Sequence, residues 1–177
     1  MSITVRRVIT GHDKNGKATV MIDEAVTSTA ESRPGANPKV IWTTEGFPVN
    51  NDGDTDESAR KTGTTLTDGT VFRVISFAPG VSPRNHRTDS IDYAVVISGE
   101  IDMDLDGEVV HLRAGDVLVQ RGTIHNWINT GTVPCVIAFV LIAAKSVTSG
   151  RSDDSRSWIP GFAGDHLVWL VGACWDF

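Results

Sequence analysis

The feature that most constrains the fold is a series of short β-branched runs separated by turns that contain glycine. It begins at Thr70, and six runs follow before Lys145. They occupy residues 71–77, 93–97, 101–105, 109–112, 117–119 and 135–143. Evenly spaced short strands of this kind are typical of β-sandwiches and β-barrels. The sequence therefore predicts an all-β fold.

One turn in this series is a strong hairpin signal. Asp106 and Gly107 stand between the third and fourth runs, and a two-residue type I′ turn needs a positive φ at both central positions. Strand alternation around this turn then directs Glu100, Asp102 and Asp104 to water.

The N-terminal part of the chain has fewer strand signals. Residues 4–9 and 18–22 predict a hairpin across an Asp-Lys-Asn-Gly turn, and residues 40–44 predict a further strand. Residues 50–69 are polar, acidic and glycine-rich without periodicity, which indicates a long loop.

Length and pattern together predict one domain that spans residues 1–177, because a chain of this size builds a single core. N-terminal strands and a loop occupy 1–69, the barrel core occupies about 70–143, and a C-terminal extension occupies 146–177. The extension ends in an apolar tail rich in tryptophan. Such a tail needs cover, either from the barrel wall or from a partner subunit.

Charge and composition exclude several classes of partner. The chain has 16 basic and 22 acidic side chains, a net charge of −6, and scattered basic residues, so we expect no nucleic-acid partner. Its longest apolar stretch is too short for a membrane span, and no signal-peptide pattern is visible at the N-terminus. We therefore expect a soluble cytoplasmic protein in which Cys135 and Cys174 are buried, reduced thiols.

Two of the five histidines stand apart by their position. His86 and His125 each lie where a loop enters a predicted strand, in the part of the chain richest in glycine turns. His12, His111 and His166 lie in a turn, on a strand face and in the tail, which are ordinary settings for surface or packing histidines.

The residues around His86 match a known spacing. Gly80, His86, Thr88, Asp92 and Gly99 fall on the pattern G-x5-H-x-H-x3-E-x6-G with every interval intact. Two spaced motifs are a much stronger signal than one.

A second motif follows the Asp-Gly hairpin. Gly115, Gly122, His125 and Asn129 follow G-x5-P-x-G-x2-H-x3-N, with one residue fewer before Gly122 and Arg121 where proline is usual. With these two motifs, residues 70–143 resemble the cupin superfamily. The resemblance implies a cupin-type antiparallel β-barrel, also described as a double-stranded β-helix or jelly roll, with additional N-terminal strands.

The resemblance also implies a site, and the departures from the family pattern bear on its chemistry. The metal ligands of the family match His86, Thr88, Asp92 and His125, so a hydroxyl replaces one imidazole and the carboxylate is one methylene shorter. Two imidazoles and one carboxylate are the ligand set of the facial triad of non-haem iron enzymes. A divalent metal (iron, manganese, zinc or nickel) on His86, Asp92 and His125 and a metal-free site therefore both stay open.

Without a metal, the same three groups predict acid–base catalysis. Asp92 would orient an imidazole and shift its pKa toward neutrality, which suits proton transfer by His86 or His125. A satisfied polar cluster without catalysis is the remaining alternative.

Further residues are candidates for substrate binding. Strand alternation places Trp127 and Asn129 on the face of His125, and Thr88 belongs to the motif itself. Arg73, between two apolar residues of a strand, is a candidate anchor for an anionic group, with exposure on the outer face as the alternative. A partly aromatic interior suits a flat aromatic or polyketide-like ligand, although Trp127 also suits the core.

Three functions follow from this site. The first is a lyase or isomerase that performs decarboxylation, dehydration, isomerisation or cyclisation on a hydroxylated or carbonyl-bearing small molecule. The alternatives are an iron-dependent dioxygenase and a ligand-binding protein without turnover, since fold alone leaves the reaction open. We also expect a homodimer, because open small barrels leave strand edges and apolar surface to cover.

Overall fold

The computed structural model describes residues 2–148, so most of the predicted C-terminal extension (146–177), with Cys174 and His166, lies outside the described residues. A short 3-10 helix, Glu57–Ala59, lies in the long loop. The strands are β1 (Ile3–His12), β2 (Ala18–Ser28), β3 (Ala36–Glu45), β4 (Gly69–Phe77), β5 (Ser90–Ser98), β6 (Glu100–Leu105), β7 (Glu108–Arg113), β8 (Val117–Arg121), β9 (Asn126–Ile128) and β10 (Cys135–Ala143).

These strands form three antiparallel sheets. A five-stranded sheet has the order β3-β4-β10-β5-β8, a three-stranded sheet has the order β7-β6-β9, and β1 and β2 form a separate hairpin. The two larger sheets share one hydrophobic core, as in a jelly roll. The prediction of an all-β, antiparallel jelly roll with additional N-terminal strands is confirmed.

The core follows from strand alternation. On β5, Ala94 and Val96 are buried beside Asp92, while the residues between them face outward. Ile101 and Met103 of β6 meet them from the opposite sheet. The largest apolar side chains of this core are Phe77, Ile101, Met103, Leu112, Trp127, Ile137, Phe139 and Leu141.

The hairpin between β6 and β7 has the predicted geometry. Asp106 has a φ of 63° and Gly107 a φ of 101°, which are the positive values that a type I′ turn requires. Glu100, Asp102 and Asp104 alternate with buried residues and lie on the outward side of β6. Cys135 is buried with a free thiol, as predicted.

The N-terminal hairpin packs on the outer face of the five-stranded sheet, over β3, β4 and β10. Ile3, Ile41 and Val74 form a second, smaller core between the hairpin and the sheet. Arg7 fixes this layer, because its buried guanidinium donates to Glu24 of the hairpin, to Asp56 and Ser58 of the long loop, and to the carbonyl of Ile41. The ion pair with Arg7 holds the pKa of the Asp56 carboxyl well below its usual range.

The sequence analysis missed β9, whose three residues are too few to show alternation. In residues 2–148, no helix has the length and apolar character that a membrane crossing needs.

We expect Arg7→Gln to destabilise the fold by about 2–3 kcal/mol, because it leaves Glu24 and Asp56 without their partner. Arg6→Gln is the matched control, since Arg6 pairs with Asp23 on the exposed side of the same strand and should change stability little. Urea unfolding of both variants measures the difference. Equal stability of the two variants would show that the Arg7 contacts do not hold the hairpin in place.

The outer face of β5 and β8 is apolar and exposed, and β8 has no neighbour along one edge among the described strands. We propose that a second copy of the chain covers this face. The homodimer expected from the sequence stays a prediction, which the following measurement tests. Light scattering should give a dimer mass, and Val119→Glu should give a monomer. The control is Val20→Glu, at a similarly exposed position of the hairpin, which should stay dimeric. The exposed residues are Tyr93, Val95, Ile97, Val117 and Val119.

Candidate active site

His86 and His125 meet at the centre of the site. Their backbones exchange two hydrogen bonds, His86 N to His125 O at 3.1 Å and His125 N to His86 O at 3.0 Å. The two side chains are buried, with ring centroids 4.4 Å apart. These two hydrogen bonds join the loop before β5 to the loop before β9.

Both imidazoles are oriented by backbone carbonyls. Nδ1 of His86 lies 3.1 Å from the carbonyl oxygen of Arg84, and Nδ1 of His125 lies 3.1 Å from that of Thr123. A carbonyl only accepts, so the Arg84 contact favours a proton on Nδ1 of His86 and a lone pair on its Nε2. The Thr123 contact favours the same tautomer of His125, provided that the neighbouring Gln120 amide turns its oxygen toward Nδ1. The two Nε2 atoms are thus available to a substrate or a metal.

Both imidazoles are neutral at physiological pH. Burial, together with the neighbouring His125, lowers the pKa of His86 to about 3. Burial also lowers the pKa of His125 to about 4, and Arg33 and Arg84 contribute to both shifts. A buried imidazolium is costly because it loses hydration and stands near two guanidinium charges.

Asp92 ends a chain of three buried polar side chains. The Thr88 hydroxyl lies 2.8 Å from the Ser90 hydroxyl, which donates to Oδ1 of Asp92. Thr88 lies just before β5, and Ser90 and Asp92 alternate inward at its start. Thr88 therefore acts through Ser90 on the carboxyl group, and sequence analysis missed Ser90 as the link between them.

Burial raises the pKa of Asp92 to about 6, against the hydrogen bond from Ser90 and the positive charge of Arg73, which lower it. Arg73 is itself buried, and desolvation lowers its pKa to about 10. Its guanidinium donates to the carbonyls of Gly63 and Thr64. The alternative that Arg73 faces solvent is wrong: the buried guanidinium holds the long loop through these two carbonyls, and its charge acts on Asp92.

The predicted pairing of Asp92 with an imidazole is wrong. Within residues 2–148, no hydrogen bond or ion pair joins Asp92 to His86 or His125; the two Nδ1 atoms face backbone carbonyls, and the carboxyl group faces Ser90. The imidazole pKa values consequently move away from neutrality. Asp92 is the group whose pKa lies near it.

Gln120 connects the two parts of the site and was also missed. It is the cross-strand partner of Asp92, and its amide nitrogen lies 2.9 Å from Nδ1 of His125. Its amide oxygen is buried without a hydrogen-bond partner among the described residues, and exchanging the amide oxygen and nitrogen gives the Nδ1–H of His125 an acceptor. The alternation of β8 would have found it, since Val117 and Val119 face outward while Gln120 is buried.

Trp127 and Asn129 face inward as the alternation predicts. Trp127 is buried between Phe77 and Phe139, and its ring meets that of His125 edge-on at 5.7 Å. The amide of Asn129 donates to two backbone carbonyls and accepts from a third residue of its loop. Trp127 therefore lines the site beside His125, and Asn129 holds the backbone of its loop in place. Their roles in substrate binding stay predictions.

Among the described residues, the two histidines outside the motifs, His12 and His111, are ordinary surface residues. His12 is exposed, and His111 is exposed and hydrogen-bonded to Asp102.

The described residues do not fit the predicted metal centre. Among residues 2–148, no three histidine, cysteine, aspartate or glutamate side chains come together as metal ligands. His86 and His125 offer two Nε2 atoms, but Thr88 supplies a hydroxyl where the family has an imidazole. The shorter carboxylate of Asp92 is bonded to Ser90. The ligand set of His86, Asp92 and His125 is therefore not assembled.

Two arginines border the imidazoles and were not singled out in the sequence. Nε of Arg33 donates to the carbonyl of Ser82 at 2.8 Å, and its guanidinium lies 5.9 Å from the ring centroid of Phe77. Arg84 contributes the carbonyl that orients His86. Arg33 lies 49 positions from Ser82, so only the folded chain brings them together.

Comparisons with known proteins agree with this architecture. Residues 73–142 match the cupin domain family Cupin_2. The cupin-domain-containing oxidoreductase fogC of Aspergillus ruber is 42% identical over 153 residues, which cover 81% of this chain and 74% of that protein. Phomopsin biosynthesis cluster protein C′ of Diaporthe leptostromiformis is 38% identical over 153 residues, or 81% of each protein.

One solved structure matches part of the chain. The Cupin_2 domain of an XRE family transcriptional regulator from Enterobacter cloacae covers 63% of this chain and 99% of that chain, with 24% identity and a TM-score of 0.43. Through the jelly roll, both motifs and the 42% identity to a relative over most of its length, the chain belongs to the cupin superfamily.

Proposed function

We propose that this protein is a small-molecule enzyme, a lyase or isomerase, in which Asp92 transfers a proton beside the His86–His125 pair. The observation that carries the proposal is the combination of a buried carboxyl group with two imidazoles whose Nε2 atoms have no partner among the described residues. Buried groups of this kind cost stability and tend to mark sites.

The division of roles follows from the protonation states. Asp92 is the group that gains and loses a proton most readily near neutral pH, because its pKa lies at about 6. The neutral imidazoles are weak bases, so their Nε2 atoms accept hydrogen bonds from substrate hydroxyl groups and orient them. Arg73 stabilises the carboxylate form of Asp92 between turnovers.

An isomerisation balances with these groups alone. The Asp92 carboxylate removes a proton from the carbon beside a carbonyl, and the electron pair of that C–H bond moves onto the carbonyl oxygen. The Asp92 carboxyl then returns the proton to a neighbouring atom of the substrate. No oxidant or reductant is consumed, and the carboxylate is regenerated.

The relatives support a substrate from biosynthetic small-molecule chemistry. One similar protein carries the name of the phomopsin biosynthesis cluster, and another that of the oryzines biosynthesis cluster. The aromatic wall of Phe77 and Trp127 beside His125 suits a flat or partly aromatic substrate that bears a hydroxyl or carbonyl group.

A second candidate is an oxidoreductase, because several similar proteins carry that name. This class includes the iron-dependent dioxygenase predicted from the facial triad. Oxygen uptake by the purified protein separates it from the first candidate. A binding protein without turnover is the outcome if a ligand copurifies and is recovered unchanged.

We expect Asp92→Asn to lower kcat/KM by about 10²-fold or more on the compound that mass spectrometry finds bound to the purified protein. In the unchanged protein, kcat/KM should rise with pH through about 6, as Asp92 loses its proton, and then level off. Asp68→Asn, on the exposed part of the long loop, is the matched control and should keep both the rate and the profile. Turnover that survives in Asp92→Asn removes the assigned role.

The same variant has a readout that needs no substrate. The folded-state pKa of Asp92 lies above its ordinary value, so the protonated form stabilises the fold and this contribution is lost as the pH rises from about 4 to about 6. Asp92→Asn should therefore gain thermal stability relative to the unchanged protein between pH 4.5 and pH 7.5. A constant difference would show an ordinary carboxyl group.

We expect elemental analysis of protein purified without chelator to find well below one metal ion per chain, because two imidazoles alone hold a divalent ion weakly. Chelator treatment should leave turnover unchanged within about twofold on the proton-transfer mechanism. Complete inactivation with full rescue by ferrous iron would instead favour the oxygenase.

A further inference from the structure

Two half-buried arginines beside the imidazoles have no counter-charge in the described part of the chain. Arg6, Arg7 and Arg60 each pair with carboxylates. Within residues 2–148, neither Arg33 nor Arg84 forms an ion pair, and the Arg84 side chain makes no hydrogen bond. Arg73, Arg87, Arg113 and Arg121 also form no ion pair among the described residues, but Arg33 and Arg84 are the arginines whose charges act on both imidazoles.

One guanidinium nitrogen lacks a hydrogen-bond acceptor. Nη2 of Arg33 is fully buried and has no hydrogen-bond partner among the described residues. A buried donor on a charged group costs free energy unless an acceptor reaches it. Because Nε of the same guanidinium already donates to Ser82, the group cannot turn freely to find water. An acceptor from outside the protein would satisfy it.

The backbone brings the two arginines to the same place. Arg33 is tied to Ser82, two residues before Arg84, while the backbone of Arg84 bonds to Asn126 through its N–H and to His86 through its carbonyl. The positive charge of Arg84 lowers the pKa of Arg33, and both charges lower the imidazole pKa values. Like charges that come from neighbouring segments and both act on the imidazoles favour an anion beside those rings.

We propose that Arg33 and Arg84 bind an anionic oxygen group of the substrate, a carboxylate or a phosphate, beside the imidazoles of His86 and His125. Guanidinium groups bind such groups through charge-assisted, often bidentate hydrogen bonds. This inference rests on the proposed function and deepens it, because it names the charged end of the substrate. Arg73 is not available for this task, since its guanidinium donates to two loop carbonyls and its charge stabilises the Asp92 carboxylate.

The test is calorimetric titration of the full chain with three small probes of one shape. Benzoate carries a carboxylate, phenyl phosphate carries a phosphate, and benzamide is the neutral counterpart of benzoate. We expect one of the two anions to bind and benzamide not to bind. Preference for benzoate identifies a carboxylate substrate, and preference for phenyl phosphate identifies a phosphate. No binding of either anion, or equal binding of benzamide, overturns the proposal.

Variants assign the binding to the two arginines. Arg84→Gln loses no described side-chain hydrogen bond, so it should fold normally and weaken anion binding by about tenfold or more. Arg33→Gln should have the same effect, with circular dichroism as the control for the loss of the Ser82 contact. Arg6→Gln, on the exposed hairpin, should bind as the unchanged protein does. Unweakened binding in Arg84→Gln overturns the proposal.

Asp92→Asn separates this inference from the proposed function. It removes the proton-transfer group but leaves both arginines, so it should bind the anion with unchanged affinity while turnover falls. If Arg84→Gln binds normally and Asp92→Asn is inactive, only the anion site is refuted. If Arg84→Gln fails to bind and Asp92→Asn stays active, only the proton-transfer role is refuted.

Discussion

The pair of backbone hydrogen bonds between His86 and His125 holds the two sheets together at the site. His86 precedes β5 of the five-stranded sheet, and His125 directly precedes β9 of the three-stranded sheet. The bridge fixes both imidazoles in contact, and it consumes backbone groups that would otherwise be buried without partners. Arg84, which orients the first imidazole, is placed by the same short segment. The positions of the site residues thus depend on this contact.

Burial in the same interior shifts the pKa values of the imidazoles and of the carboxyl group in opposite directions. It disfavours charge on every group, so it lowers the pKa of the imidazoles and raises that of Asp92. Both effects favour neutral side chains inside the jelly roll. The difference lies in the neighbours, because two arginines push the imidazole pKa values further down in the same direction as burial. On Asp92 the Ser90 hydrogen bond and the Arg73 charge oppose burial instead, so its pKa rises only to about 6. One carboxyl group therefore remains able to exchange protons near pH 7.

The sequence predicted the fold well where strand patterns are local. The run 135–143 matched β10 at both ends, and the Asp106–Gly107 turn took the predicted conformation, since both signals depend on neighbours in the chain. The motif spacing also predicted correctly that His86 and His125 lie together. The partners of those groups were not predictable, because hydrogen-bond direction depends on side-chain rotamers and on distant segments. Asp92 turned to Ser90 instead of an imidazole for this reason.

An anion held by Arg33 and Arg84 would change the balance of charges that sets the imidazole pKa values. The two guanidinium charges are among the causes that keep His86 and His125 neutral, and an anion would offset them. Desolvation would remain, so the pKa values of the two imidazoles would rise without reaching the ordinary value of histidine. On the proposed mechanism, substrate binding would thus make the imidazoles better hydrogen-bond acceptors at the stage when a substrate hydroxyl needs one. Without the anion, the same rings stay neutral and exchange few protons with solvent.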